Sequence, residues 1–257
     1  MPALRELPSL ACGSALRVIR YAPGSRQGQH VHSSGSLTLI LRGVLDEFAG
    51  GRHERGAPLS IAVKPPGVPH ADEYGADGVL TFQIVLSARR WSELIHPGLG
   101  TWQWIHDTPA LRPMLRLALA SSRGRGDSSN NGLFEEALAA LPSTFRHSSR
   151  KTPPWLRGVR DALDEQSRTV AGLAEQAGVH PVHLAREFRK AFGLTPSEYR
   201  RRARIRRAAI SLADGRLSLV DSSQLAGYCD QAHMNREIHT ETGLTPGAFR
   251  DLIASLL

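Results

Sequence analysis

Gly193-Leu194-Thr195-Pro196-Ser197-Glu198-Tyr199-Arg200 returns further along the chain as Gly243-Leu244-Thr245-Pro246-Gly247-Ala248-Phe249-Arg250. The same offset places His233 on His183, Met234 on Leu184, Arg236 on Arg186 and Ile238 on Phe188. A repeat of this length and register means two copies of one supersecondary unit.

Each copy reads as helix, turn, helix. In the first, Val170–Ala177 forms a short helix with Leu173, Ala174 and Ala177 inward. Gly178 supplies the tight turn, where the absence of a Cβ relieves strain. Pro181 opens the next helix at a first-turn position, where its missing N–H costs nothing. Leu184, Phe188 and Ala191 recur with helical spacing and face a core. His183, Arg186 and Lys190 share the opposite face, with donors suited to base edges and phosphates. The second copy uses Gly227 as the turn and Asp230 as the N-cap of Gln231–Thr242. Met234 and Ile238 face inward there, which leaves Gln231, Ala232, His233 and Arg236 outside. Between the copies, Glu198–Asp214 reads as one helix whose apolar positions are Tyr199, Ala203, Ile205, Ala208, Ala209 and Leu212. Arg200, Arg201, Arg202, Arg204, Arg206 and Arg207 crowd that helix and are expected at solvent or phosphates. A rigid connecting helix would hold the two second helices about one DNA turn (~34 Å) apart.

Residues 155–252 resemble the DNA-binding domain of the AraC/XylS family of regulators. The doubled GxTPxx[YF]R pattern and Gly227-Tyr228-Cys229-Asp230-Gln231-Ala232-His233 carry the likeness. The resemblance implies that the second helix of each unit enters the major groove. Val182, His183, Arg186 and Lys190, and Gln231, Ala232, His233 and Arg236, are the expected DNA-facing residues. His180 departs from the family's Ser N-cap. Ser222 and Ser223 stand where an aliphatic residue and Ala are usual, and Ser222 is expected to loosen the packing of its helix.

Upstream the pattern changes. Ala15–Tyr21, Leu37–Leu41, Val44–Phe48, Ser60–Val63 and Val79–Leu86 are β-prone runs separated by Gly and Pro turns, which predicts a barrel or sandwich. Arg89–Ile95, Pro109–Ala120 and Leu133–Leu141 read as helices, and Ser121–Gly132 as a loop. Trp91, Trp102 and Trp104 are expected in packing, and His96, His106 and His147 in solvated or capping roles. The domain reading is therefore a barrel over 1–88, a helical dimerisation or relay region over 89–141, a linker over 142–154 and the DNA-binding domain over 155–257. The fold class is α+β multidomain, with an all-α C-terminal domain.

Gly24, His30, His32 and Gly43, followed by Pro65, Gly67 and His70, resemble the two cupin motifs. Ser36 replaces the family's metal-binding Glu, and Tyr74 its second-motif Asn. Residues at i and i+2 of a strand point to one side, so His30 and His32 can converge with His70 on a divalent transition metal such as zinc. The same residues with Ser36 could instead line a pocket for an organic ligand, or be structural. AraC-like regulators carry such barrels as sensors. The resulting expectation is a non-enzymatic, cytoplasmic DNA-binding regulator, an activator or a repressor, since the sequence does not give the sign of regulation. Its expected partners are double-stranded DNA, RNA polymerase, a second copy of the chain, and a small-molecule or metal effector. A cupin metalloenzyme fused to a DNA-binding domain, and a ligand-independent DNA-binding dimer, are the alternatives.

The bulk numbers agree without deciding. The 257 residues carry 32 Lys+Arg against 24 Asp+Glu, a net of +8, and excess positive charge favours polyanions. The excess is not confined to the repeat region, since residues 155–257 hold 15 basic and 12 acidic side chains. Cys12 and Cys229 make neither a disulfide framework nor a CxxC zinc motif. No apolar run is long enough for a transmembrane helix, and the opening residues lack a signal-peptide core.

Overall fold

The computed structural model describes residues 2–8, 10, 14–94, 101–105, 109–124, 127–141, 153–165 and 169–257. Cys12, His96, His106, His147 and all but the last two residues of the expected linker lie outside them. Packing divides the chain into two compact units, residues 1–145 with 208–257, and residues 146–207.

Among the described residues the larger unit has ten strands, β1 (Ala3–Leu7), β2 (Ala15–Tyr21), β3 (Arg26–His30), β4 (Gly35–Arg42), β5 (Leu45–Ala49), β6 (Arg52–Gly56), β7 (Ile61–Lys64), β8 (His70–Tyr74), β9 (Val79–Leu86) and β10 (Gln103–Ile105). They form a six-stranded sheet in the order β1-β2-β9-β4-β7-β10 and a four-stranded sheet in the order β3-β8-β5-β6. All the pairings are antiparallel. β10 pairs with β7, so a residue run beyond the β-prone region completes the larger sheet. β4, β7 and β9 are buried almost throughout, which is why they read as continuous apolar runs. β5 and β8 alternate, with Leu45, Glu47 and Ala49, and His70, Asp72 and Tyr74, turned inward. The two sheets meet over a core that includes Ile40, Leu45, Ala62, Tyr74, Val79, Trp102 and Trp104. Tyr21 of one sheet stacks on Tyr74 of the other at 4.0 Å.

β3, β6 and β8 escape the apolar reading because their sequences, RQGQH, RHERG and HADEY, are polar. Ladder pairing with β5 makes β8 and β6 strands, not their own composition. A second difference concerns the middle helices α1 (Ala88–Leu94), α2 (Leu111–Ser122) and α3 (Asp127–Ala140). α3 starts inside the run expected to be a loop. Its Ser and Asn residues are weak helix formers, but Asn130, Leu133, Phe134, Ala137 and Leu138 are buried and α3 packs along α2. Tertiary burial outweighs propensity here.

The smaller unit contains α4 (Pro154–Asp164), α5 (Val170–Gln176), α6 (Pro181–Phe192) and the start of α7 (Pro196–Asp214). Its core is Leu156, Val159, Leu163, Leu173, Ala174, Leu184 and Phe188. The end of α7, α8 (Leu219–Leu225), α9 (Gln231–Thr242) and α10 (Pro246–Leu256) belong to the larger unit, where α9 and α10 both pack on α2. The repeat now has a mechanical meaning. Gly193 and Gly243 end α6 and α9 in the left-handed region, with φ of 77° and 73°. Thr245 caps α10 by accepting from the Ala248 amide. Thr195 and Glu198 form a reciprocal capping box at α7, at 3.3 Å and 2.7 Å.

Candidate nucleic-acid interface and barrel interior

On α6, Leu184 and Phe188 are fully buried, while Val182, His183, Arg186, Arg189 and Lys190 are exposed. The expected division of faces is thus present. His180 caps the helix with its ring, since Val182 N–H donates to His180 Nδ1 at 3.3 Å. An imidazole therefore does the work of the usual hydroxyl. Val182 is 70% exposed, an apolar side chain of the kind that packs on a thymine methyl. Lys190 Nζ lies 2.8 Å from Glu187, and this acid neutralises part of the basic face. His183 stacks over Trp155 at 6.3 Å.

On α9, Met234 and Ile238 are buried, Ala232 and Arg236 are exposed, and Gln231 and His233 are partly covered. Asp230 accepts from the His233 amide at 2.6 Å, and that bond holds its carboxyl below the usual range. His233 is also engaged sideways, by Cys229 at 3.4 Å and Glu237 at 3.5 Å. The two serines of α8 are well housed. Ser211 donates to the fully buried Ser222 at 2.9 Å, and Ser223 donates to the Val220 carbonyl at 2.7 Å. Ser222, expected to loosen the packing of its helix, is fully buried, and its paired hydroxyl offsets most of the cost of burying it.

The arginines of α7 do not all look outward. All six are half-buried. Arg206 reaches the Asp164 carboxylate at 2.9 Å, and Arg207 its carbonyl at 2.6 Å. Both lie at the C-terminus of α4, where a helix favours positive charge. Tyr199 donates to the same carboxylate at 2.9 Å; burial and that neighbouring charge push its pKa up to about 12.

Within the barrel, His30, His32 and His70 come together, with ring centres 4.9, 4.3 and 5.3 Å apart. His30 and His70 face each other across the β3–β8 ladder. Ser36 meets Thr38 at 3.4 Å and sits opposite Lys64 in the β4–β7 ladder. Three charged residues that the motifs did not flag join the histidines. Lys64 lies 2.6 Å from Glu47 and 3.8 Å from Asp72, and Tyr74 donates to Asp72 at 3.1 Å. Asp72 was legible as the i+2 neighbour of His70 on one strand. Glu47 and Lys64 needed the sheet order.

Residues 173–251 match the family model described as "Helix-turn-helix domain". The chain is 30% identical over 132 residues to the "Bifunctional transcriptional activator/DNA repair enzyme Ada" of Escherichia coli, covering 47% of this chain and 37% of that protein. It is 31% identical over 107 residues to a "Putative AraC-like transcription regulator" of Streptomyces lividans, covering 37% of this chain and 35% of that one. Over this region the chain is similar to AraC-like transcription regulators. It spans little more than a third of the length of these relatives. Among solved structures it is similar to ToxT of Vibrio cholerae, at 8% identity and a TM-score of 0.39 over 93% of this chain and 98% of that chain. The matched helix-turn-helix region holds both of the exposed helix faces described above. Among the described residues, no helix is long and apolar enough to cross a membrane.

The electrostatics of the barrel yield a pH expectation. Burial, then neighbouring positive charge, lowers both His32 and His70 from the ordinary value of 6.5. The unfolded chain therefore binds protons that the folded one refuses. Stability is fully present above pH 6.5 and is lost as the pH falls below it. Denaturant titrations between pH 7.5 and 5 should show the chain weakening on the acid side; a flat profile would contradict the burial of His70.

Proposed function

We propose that this chain is an AraC-type, sequence-specific transcription regulator that binds double-stranded DNA through α6 and α9. A small molecule or metal ion in the barrel modulates that binding. One observation carries the reading: two repeat-related helices each bury an apolar face and expose an arginine at the same repeat position, Arg186 and Arg236. An arginine so placed can fork onto guanine O6 and N7, and Gln231 can pair with adenine. The packing of α9 and α10 on α2 supports a relay role for the middle helices. Residues 1–88 serve as the sensor, 89–141 as relay and pairing surface of a homodimer, and 142–154 as linker to the DNA-binding residues 155–257. RNA polymerase is the further partner of an activator of this kind, and the cytoplasm is its compartment. The effector acts only through unequal affinity for two states of the chain.

The test starts from a DNA site selected out of a random library. Arg186→Ala and Arg236→Ala should each cost about 1–3 kcal/mol in binding and relax the preference at one base position. Affinity should fall linearly on a log–log plot against salt. Full affinity in both variants, or a selection that yields no consensus, would sink the assignment.

A further inference from the structure

The barrel interior holds more acid than its lysine can pair. Glu47 and Asp72 are buried, and Lys64 is the cation between them. Glu47 Oε2, Asp72 Oδ1 and His70 Nε2 are all buried without a hydrogen-bond partner. Each of the three is an acceptor. His70 Nδ1 lies 3.0 Å from the Val68 carbonyl, so Nδ1 carries the proton and Nε2 turns a lone pair toward Glu47 Oε1, 3.9 Å away. His30 repeats the arrangement. Its Nδ1 donates to the Gly28 carbonyl at 2.8 Å, and its Nε2 faces Asp72 Oδ2 at 3.9 Å. Imidazoles oriented by a carbonyl behind them, with lone pairs aimed at carboxylates, are arranged as ligands rather than as donors. One donor atom from each of Glu47, His70 and Asp72 falls within 4.8 Å of the others, a set small enough for a single ion.

We infer that the barrel binds one divalent transition-metal ion on Glu47, His70 and Asp72, with His30 as fourth ligand, and that this ion displaces the Lys64 ammonium from Glu47. Two imidazoles and two carboxylates suit zinc, manganese or iron(II). The acid absent at Ser36 is thus supplied from β5 and β8. His32, exposed at the rim of the cluster, is dispensable. Glu47 Oε1 cannot serve the ammonium and the ion fully at once, so Lys64 acts as an internal competitor that sets the affinity. The assignment rests on reading the barrel as the sensor, but its site can be tested without DNA.

The experiment is metal content and chelator-competition affinity of the purified full-length chain, using Zn²⁺ and Mn²⁺ as probes. The unaltered chain and His32→Ala should hold one ion each. Glu47→Gln should weaken binding by about tenfold or more, and Lys64→Met should tighten it. Because either single change strands a buried charge, the double variant Glu47→Gln/Lys64→Met serves as the control in which the pair goes together. If it folds and binds the ion as well as the unaltered chain, the site is wrong. Loss of the ion in His32→Ala with retention in Glu47→Gln would overturn the site in favour of three histidines. Failure of both the unaltered chain and Lys64→Met to bind either metal would overturn it outright. Promoter affinity, measured with and without metal, separates the two readings: an ion bound as described that leaves DNA binding unchanged upholds the site and sinks the metal-sensor role.

Discussion

Replacing Phe188 with alanine is expected to unfold residues 154–207 while leaving the barrel folded. Phe188 is fully buried on α6, at the centre of a core of seven buried residues. Its ring meets Phe192 at 4.5 Å and Tyr199 at 5.5 Å. Removing a buried Phe side chain costs about 3–5 kcal/mol. A unit of this size has a small core and little stability to lose. Hydrogen exchange should show protection lost over α4, α5 and α6 and retained over β4 and β9. DNA binding should fall more than in either arginine variant, since the whole recognition helix is removed. A loss under about 1 kcal/mol, or one that melts the barrel equally, would show that the core is drawn wrongly.

Gly43→Ala is expected to be the most damaging single-methyl addition in the barrel. Gly43 adopts φ 82°, and a Cβ there would fall 1.9 Å from the Gly78 carbonyl oxygen and 3.1 Å from Val79 Cα. Both obstacles are backbone, so no side chain can swing aside. Left-handed strain of about 1–2 kcal/mol adds to overpacking of about 1–3 kcal/mol. Gly193→Ala makes the natural control. It shares the positive φ, at 77°, but a Cβ there meets nothing within 4 Å, so only the conformational cost of about 1 kcal/mol remains. Urea titrations of the two variants should therefore differ clearly in midpoint. Equal losses would mean that the clash relaxes and that the contact between the β4–β5 turn and Gly78 is not a fixed part of the fold.

Much of this was legible in the residue order. The repeat located both helix-turn-helix units, and Gly178, Gly227, Pro181 and Asp230 marked their turns and starts. Leu184, Phe188, Met234 and Ile238 were read as inward and are buried. The histidine spacing brought His30, His32 and His70 to one place. Helical periods and turn residues are local signals, and local geometry is enough to interpret them.

Other features depended on chain segments far apart. The polar strands β6 and β8 exist because β5 offers them a ladder. α3 forms early because α2 gives Asn130 and Phe134 something to bury against. Arg206 and Arg207 bind the end of α4 instead of standing free, a choice that no arginine count reveals. Lys64, Glu47 and Asp72 come from three strands and two sheets, and only sheet order places an ammonium between two acids. Periodicity tells which side of an element is apolar. It does not tell which distant element will satisfy a buried charge, because pairing energy depends on a neighbour that folding alone supplies.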